Sequence, residues 1–210
     1  MRKADPYKRD ELLVKCFECF CKNGIEGTST QKLAAACGMS SGNIFHYFKT
    51  KDEIIIDATA YSMAKVEDDF MAKAPKDFKD IQRFLHEIPY WTAEKHGEKY
   101  RFMYQVYTSP KYREHGKKFF EGVTERYTEY AKSLEPKIGI PWDILQSLIY
   151  VFVRASVHYA LFEDENYLLP QIKLIDDVLP LLAKKIRRYA TERKRINDRE
   201  RYPVRVALVL

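Results

Sequence analysis

The residues of this chain best suited to chemistry are a short run of small and polar groups: Ser40, Ser41, Gly42, Asn43 and His46. Small side chains let a helix end approach base edges closely, and an asparagine amide can pair with both edge atoms of adenine. Just beyond them, Lys49 and Lys51 flank Thr50 ahead of Asp52 and Glu53. Two cations beside a helix start make a corner that suits a phosphate. The elements that must hold these groups are short. Leu33, Ala34 and Cys37 form the apolar stripe of one helix, and Gly38 predicts its end because glycine enters the left-handed conformation cheaply. Ser40 is a good N-cap for a second helix through Tyr47, with Ile44 and Phe48 turned to the core and Ser41, Gly42, Asn43 and His46 turned out. Thr50 with Glu53 reads as a capping box that opens a third helix. Two helices at a glycine-containing corner make a helix-turn-helix, whose second helix can enter a major groove.

Other chemistries lack their residues. The chain has no phosphate-binding glycine loop, no Gly-x-Ser-x-Gly, no His-Glu-x-x-His and no carboxylate pair placed for acid–base work, so neither an enzyme nor a cofactor is expected. The four cysteines, Cys16, Cys19, Cys21 and Cys37, do not form a metal-binding set. Cys16 and Cys19 share a helix face, Cys21 points elsewhere, and no histidine stands at zinc-finger spacing. They read as small core hydrophobes in a reducing cytosol.

At 210 residues, 46% hydrophobic and 31% charged, the chain can bury a sizeable core and is neither disordered nor membrane-like in composition. No uninterrupted apolar run of membrane-spanning length and no signal-peptide core is evident, which predicts a cytoplasmic protein. The net charge of +6 gathers in the tail from Lys184 onward, so the basic balance says little about the helix-turn-helix. That tail reads as a basic helix extension, with no reading for its apolar end, Val204 to Leu210. The N-terminal cations Arg2, Lys3, Lys8 and Arg9 suit either a phosphate contact or a disordered arm.

Helical spacing predicts a first helix over 7–23, ended by Gly24, and a long rod over 51–73, ended by Pro75. A further helix over 77–95 is expected to break at Gly97, with a short one over 99–108 and another opened by Pro110 and running to 134. Pro136, Gly139 and Pro141 predict a loop, followed by the most apolar helix, 142–162, and a last one over 169–189 bent at Pro180. No strand is expected. The predicted fold class is all-α, with an N-terminal three-helix helix-turn-helix domain (1–53) and a C-terminal helical ligand-binding and dimerisation domain (54–210).

The two late helices are too apolar for the surface of a monomer. One face carries Leu145, Leu148, Ile149, Phe152, Ser156 and Tyr159, and with Ile175, Leu179 and Leu182 it is expected to meet a second copy. The other flank, with Tyr150, Arg154 and His158, is expected to look into the subunit. Arg154 and His158 read either as an internal or cross-dimer polar pair or as groups meeting a polar ligand. Tyr90, Trp91, Phe102, Met103, Tyr104, Tyr107, Phe120 and Tyr127 crowd the central helices. A tyrosine-rich interior suggests a cavity for an aromatic or amphipathic molecule, because a buried phenol needs a partner. His86, His96 and His115 read as solvated.

The segment RDELLVKCFECFCKNGIEGTSTQKLAAACGMSSGNIFHYFKTKDEII resembles the DNA-binding domain of the tetracycline-repressor (TetR/AcrR) family. The order of helix, Gly-x-x-x-Thr, helix, Ala-x-x-x-Gly-x-Ser, recognition helix and aromatic-rich end agrees together. Two positions depart from the family pattern: Phe45 stands where tyrosine is usual, which removes one phosphate hydrogen bond, and Lys32 stands where an acid is frequent. The resemblance implies a dimeric, ligand-responsive regulator, a repressor, binding palindromic double-stranded operator DNA. Ser41, Gly42, Asn43 and His46 would read bases, while Thr30, Tyr47 and Lys51 would clamp phosphates. Ser29, Gln31, Ser40, Phe45 and Lys49 complete the expected surface. The partners so implied are operator DNA, a second copy of the chain and a small-molecule effector, with release caused by a swing of the rod. The alternative is an effector-independent DNA-binding interaction protein of the same fold.

Overall fold

The computed structural model describes residues 6–201, with side chains over 7–185 and at Arg188. Arg2, Lys3 and the apolar end 204–210 lie outside the described residues. The described chain is all-helical: α1 (Pro6–Asn23), α2 (Thr30–Ala36), α3 (Ser41–Ile44), α4 (Lys51–Lys73), α5 (Phe78–Tyr107), α6 (Arg113–Ile138), α7 (Trp142–Phe162) and α8 (Glu165–Arg201).

α1, α2 and α3 close a small core around Phe17, Phe20, Leu33, Ile44 and Phe48, each no more than 1% exposed. Burial of that many large side chains is what holds helices as short as α2 and α3, which would not persist alone. This core does not end at the third helix. Phe102 of α5 stacks on Phe20 and meets Phe17 edge-on, with both centroid distances 5.5 Å, so the N-terminal unit is seated on α5. A second cluster forms at the far end from Phe70, Leu85, Leu134, Phe152, Leu168 and Ile175. α4 runs past both clusters.

Three helices differ from their expected bounds. α5 continues through Gly97, which serves the crossing with α7: a Cβ there would stand 3.1 Å from the Ala160 carbonyl oxygen. α6 starts at Arg113 instead of Pro110 and carries Pro136 within its last turn, closing on Gly139 at φ +75°. α8 starts at Glu165 and contains Pro170 as well as Pro180. α4 and α7 have the predicted bounds.

α7 is, among the described residues, the one helix long and apolar enough by composition to cross a membrane. Here it lies between α5, α6 and α8. This placement withdraws five residues from the expected dimer face. Leu145, Phe152, Ser156, Ile175 and Leu179 are buried within their own subunit, and Leu148, Ile149, Tyr159 and Leu182 are partly buried against the same cluster. The opposite assignment arose because both flanks of α7 are apolar. On these two helices the large apolar groups left exposed are Trp142 and Phe162 at the two ends of α7 and Tyr167, Leu169, Leu174 and Leu181 along α8.

Candidate nucleic-acid interface and ligand cavity

The corner that presents α3 is built from caps. Ser29 is the N-cap of α2, its hydroxyl accepting from the Lys32 N–H at 3.2 Å, and Cys37 closes that helix. Gly38 follows at φ +69°, where a side chain would be strained. Ser40 caps α3, accepting from the Asn43 N–H at 3.3 Å. The regular part of α3 is one turn only, continued by turn hydrogen bonds from His46 to Asn43 and from Tyr47 to Ile44. Ile44 and Phe48 are buried, while Ser40, Gly42, Asn43, Phe45 and His46 are exposed and Ser41 and Tyr47 are half-buried. Nothing lies within 4 Å of a Cβ built on Gly42, so the outer side of the turn is open to a close approach. Gln31 and Lys49 are exposed on the neighbouring elements, and Thr30 is half-buried.

Two expected phosphate contacts are engaged inside the protein. Lys51 Nζ donates to the Ile25 carbonyl at 2.7 Å, holding the loop between α1 and α2 against the start of α4. Arg9 bridges Glu53 and Asp57 on α4 and lies over the Phe48 ring, 4.9 Å from its centroid. The N-terminal cap of α4 also differs in detail. Thr50 accepts from the Glu53 N–H as predicted, but the Glu53 carboxylate takes the Lys49 N–H at 2.6 Å. At the same helix start, Asp52 accepts from Lys111 Nζ at 2.7 Å and from the Tyr112 hydroxyl at 2.6 Å. These bonds, the lysine first, hold its carboxyl below the usual carboxylate range and fasten α4 to the α5–α6 corner.

The cysteines lie within the N-terminal core. Cys16 and Cys37 are buried with their sulfurs 3.6 Å apart, and Cys19 and Cys21 are half-buried on α1. Contact with Cys37 and burial push the Cys16 thiol well up, and burial pushes Cys21 up to about 12.

A cavity of about 180 Å³ lies between α4, α5, α6 and α7. Its wall includes Met103, Tyr104, Phe120, Tyr127, Tyr150 and Arg154 from the predicted set, together with Glu67, Tyr100, Phe119 and Val157. It opens past Phe120, Thr124 and Arg154 into a surface cleft that Tyr107 also lines. Glu67 is the residue that sequence reasoning missed. It is 5% exposed, accepts from the Tyr127 hydroxyl at 2.8 Å, and its carboxyl is raised by burial. Its place was readable, since Met63, Glu67 and Phe70 share one helical stripe and the other two are buried. On the far side of Tyr127 and Val153 a smaller, almost wholly apolar cavity of about 70 Å³ continues toward Phe84, Leu134 and Leu179.

Four predicted ligand groups lie elsewhere. Phe102 is consumed in the α1–α5 contact. Tyr90 is 38% exposed and packs on Tyr159, near Glu165. Trp91 lies under Lys73 and Lys95. His158 turns to Asp164, Phe162 and Tyr167. Arg154 is exposed and donates to the Tyr104 hydroxyl at 3.3 Å, so the partner its charge required is a phenol at the cavity rim. Of the histidines expected in solvent, His96 is buried, and desolvation, then Lys99, lowers its pKa to about 4.

The family described as "Bacterial regulatory proteins, tetR family" matches residues 12–58, which contain the whole cap-and-corner arrangement. The likeness to the TetR family thus rests on the helix-turn-helix segment. It is 29% identical over 97 residues to the HTH-type transcriptional regulator YerO of Bacillus subtilis, covering 37% of this chain and 34% of YerO. It is 24% identical over 149 residues to the transcriptional repressor AcnR of Corynebacterium diphtheriae, covering 68% of this chain and 75% of AcnR. The chain thus spans about a third of one relative and three quarters of the other. Its fold is similar to that of Thermus thermophilus FadR, a TetR-family repressor solved with lauroyl-CoA, at a TM-score of 0.52 and 15% identity over 81% of this chain and 92% of that one. TetR-family regulators of transcription therefore share both its helix-turn-helix and its helical architecture.

Proposed function

We propose that this chain is a TetR-type, dimeric, ligand-responsive transcriptional repressor acting on palindromic operator DNA in the cytoplasm, with residues 1–53 as the reading unit and 54–210 as the effector and dimerisation unit. One observation carries the reading. The same uninterrupted helix, α4, anchors the helix-turn-helix at Lys51 and walls the cavity at Glu67. Ser41, Gly42, Asn43 and His46 read bases in the major groove, and Thr30, Tyr47 and Lys49 meet phosphates. A ligand in the cavity releases DNA to the extent that it prefers the state in which α4 has moved.

The outward faces of α7 and α8, with Phe162, Leu174 and Leu181, supply the contact with the second copy, since an exposed apolar strip of this kind is rare on a monomer. The FadR structure with lauroyl-CoA supports the idea that this fold can take an effector. The test begins with DNA selected from a random library by the full-length protein. Asn43→Ala should weaken binding to the selected palindrome by about 1–3 kcal/mol and leave non-specific binding nearly unchanged. Unaltered affinity for the palindrome would remove Asn43 from base reading. Light scattering should give a dimer that Leu174→Glu with Leu181→Glu converts to a monomer.

A further inference from the structure

Glu67 is a carboxylate held in an aromatic chamber, and its neighbours donate hydrogen bonds without supplying a counter-charge. The Tyr127 hydroxyl donates at 2.8 Å, and Tyr100 is its other hydrogen-bonding neighbour. Arg126, whose charge favours the ionised form, lies 2.8 Å from Asp68 and is paired with it on the outside. The Tyr150 hydroxyl, on the same wall, is buried with no partner in the protein. Tyr104 and Phe120 line the way in from the rim.

We propose that this cavity takes an organic cation, its charge seated on Glu67 and its body enclosed by the rings of Tyr100, Tyr104, Phe120, Tyr127 and Tyr150. The inference rests on the effector reading above and names the chemical class of that effector. A buried carboxylate pays for its desolvation unless a positive group approaches, and aromatic faces attract the same charge through their quadrupoles. The two preferences point one way. A volume of about 180 Å³ is on the scale of a cavity that holds a single benzene ring, which sets the size of the enclosed part. Arg154 stays at the exposed rim, engaged with Tyr104, so it faces whatever portion of the ligand remains outside.

The experiment uses the full-length protein and calorimetric titration with benzyltrimethylammonium, its uncharged isostere neopentylbenzene, choline and lauroyl-CoA. The expected result is saturable binding of benzyltrimethylammonium, with the isostere at least about tenfold weaker. Glu67→Gln should erase that preference while leaving the isostere's affinity and the circular dichroism spectrum unchanged. Asp68→Asn, one residue along but outside the cavity, should leave cation binding as it was. Equal binding of cation and isostere, cation binding that survives Glu67→Gln, or no binding of either ammonium probe would overturn the assignment. Binding of lauroyl-CoA alone, with release of the selected DNA, would overturn the cation while the effector reading stands. Loss of specific DNA binding as a property of the wild-type protein would instead sink the regulator reading, independently of what the cavity holds.

Discussion

The two ends of the molecule treat buried polar groups in opposite ways. In the N-terminal unit the helix starts of α2, α3 and α4 are capped by Ser29, Ser40 and Thr50, and the core is closed by Phe17, Phe20 and Phe48. Among the described residues, every buried side-chain polar atom without a partner lies beyond it, at Ser62, Thr92, His96, Tyr150 and Asp176. The two cavities described above, between α4 and α7 and beyond Tyr127, lie outside it as well. An unmade buried hydrogen bond costs stability, so the second region is the one built with slack. That contrast is what the proposed function asks for: a rigid surface to hold against DNA and an interior with room for a ligand.

The largest expected effect breaks the rigid side. Phe20→Ala removes a fully buried ring that stacks on Phe102 and should cost about 3–5 kcal/mol in chemical denaturation. Phe120→Ala, at the 38% exposed rim of the cavity, should cost under about 1 kcal/mol by the same measurement. Comparable losses at the two sites would erase the distinction.

Next comes acid. His96 is neutral in the folded state, with a pKa of about 4 against an ordinary 6.5, so the unfolded chain takes up its proton first. Stability from this group is therefore present above pH 6.5 and falls as the pH drops toward 4, by up to about 3 kcal/mol. The charged groups facing it are Lys99, Lys95 and Asp69. Glu67, raised by burial, acts in the opposite sense, gaining stability as the pH falls through its own titration. Comparing denaturation midpoints of wild type and His96→Gln from pH 7 to pH 4 isolates the histidine, and the variant should lose less over that range. The smallest effect is Tyr150→Phe. Deleting a hydroxyl that has no protein partner should leave stability unchanged or raise it by about 1 kcal/mol in the ligand-free protein.

The helix-turn-helix was legible because its signals are local: Gly24 and Gly38 at positive φ, and serine or threonine at each cap, all within a few residues of what they control. Gly97 misled because its reason lies in another helix, at the Ala160 carbonyl, and not in its own turn. Glu67 stands in an acidic run with Asp68 and Asp69, and only the stripe through Met63 and Phe70 marks it as inward. The faces of α7 could not be assigned from the helix alone, since apolar residues occur on both and the packing of α5 and α8 decides between them. Lys51 shows a further difficulty. A lysine expected to reach a phosphate has a backbone carbonyl within reach, and nothing in its own neighbourhood of sequence announces Ile25 as the partner.

The continuity of α4 sets a gain. Glu67 stands 16 residues from Lys51 on one helix, or about 24 Å at 1.5 Å per residue. In the proposed dimer, pivoting there by about 10° would move the Lys51 end by about 4 Å, and two copies moving apart would double it to about 8 Å. Tips that must fall about 34 Å apart on a duplex tolerate little of that. On the proposed mechanism, a displacement at the chamber wall too small to open a gap between packed side chains would be amplified, by leverage alone, into a mismatch with the pitch of the double helix.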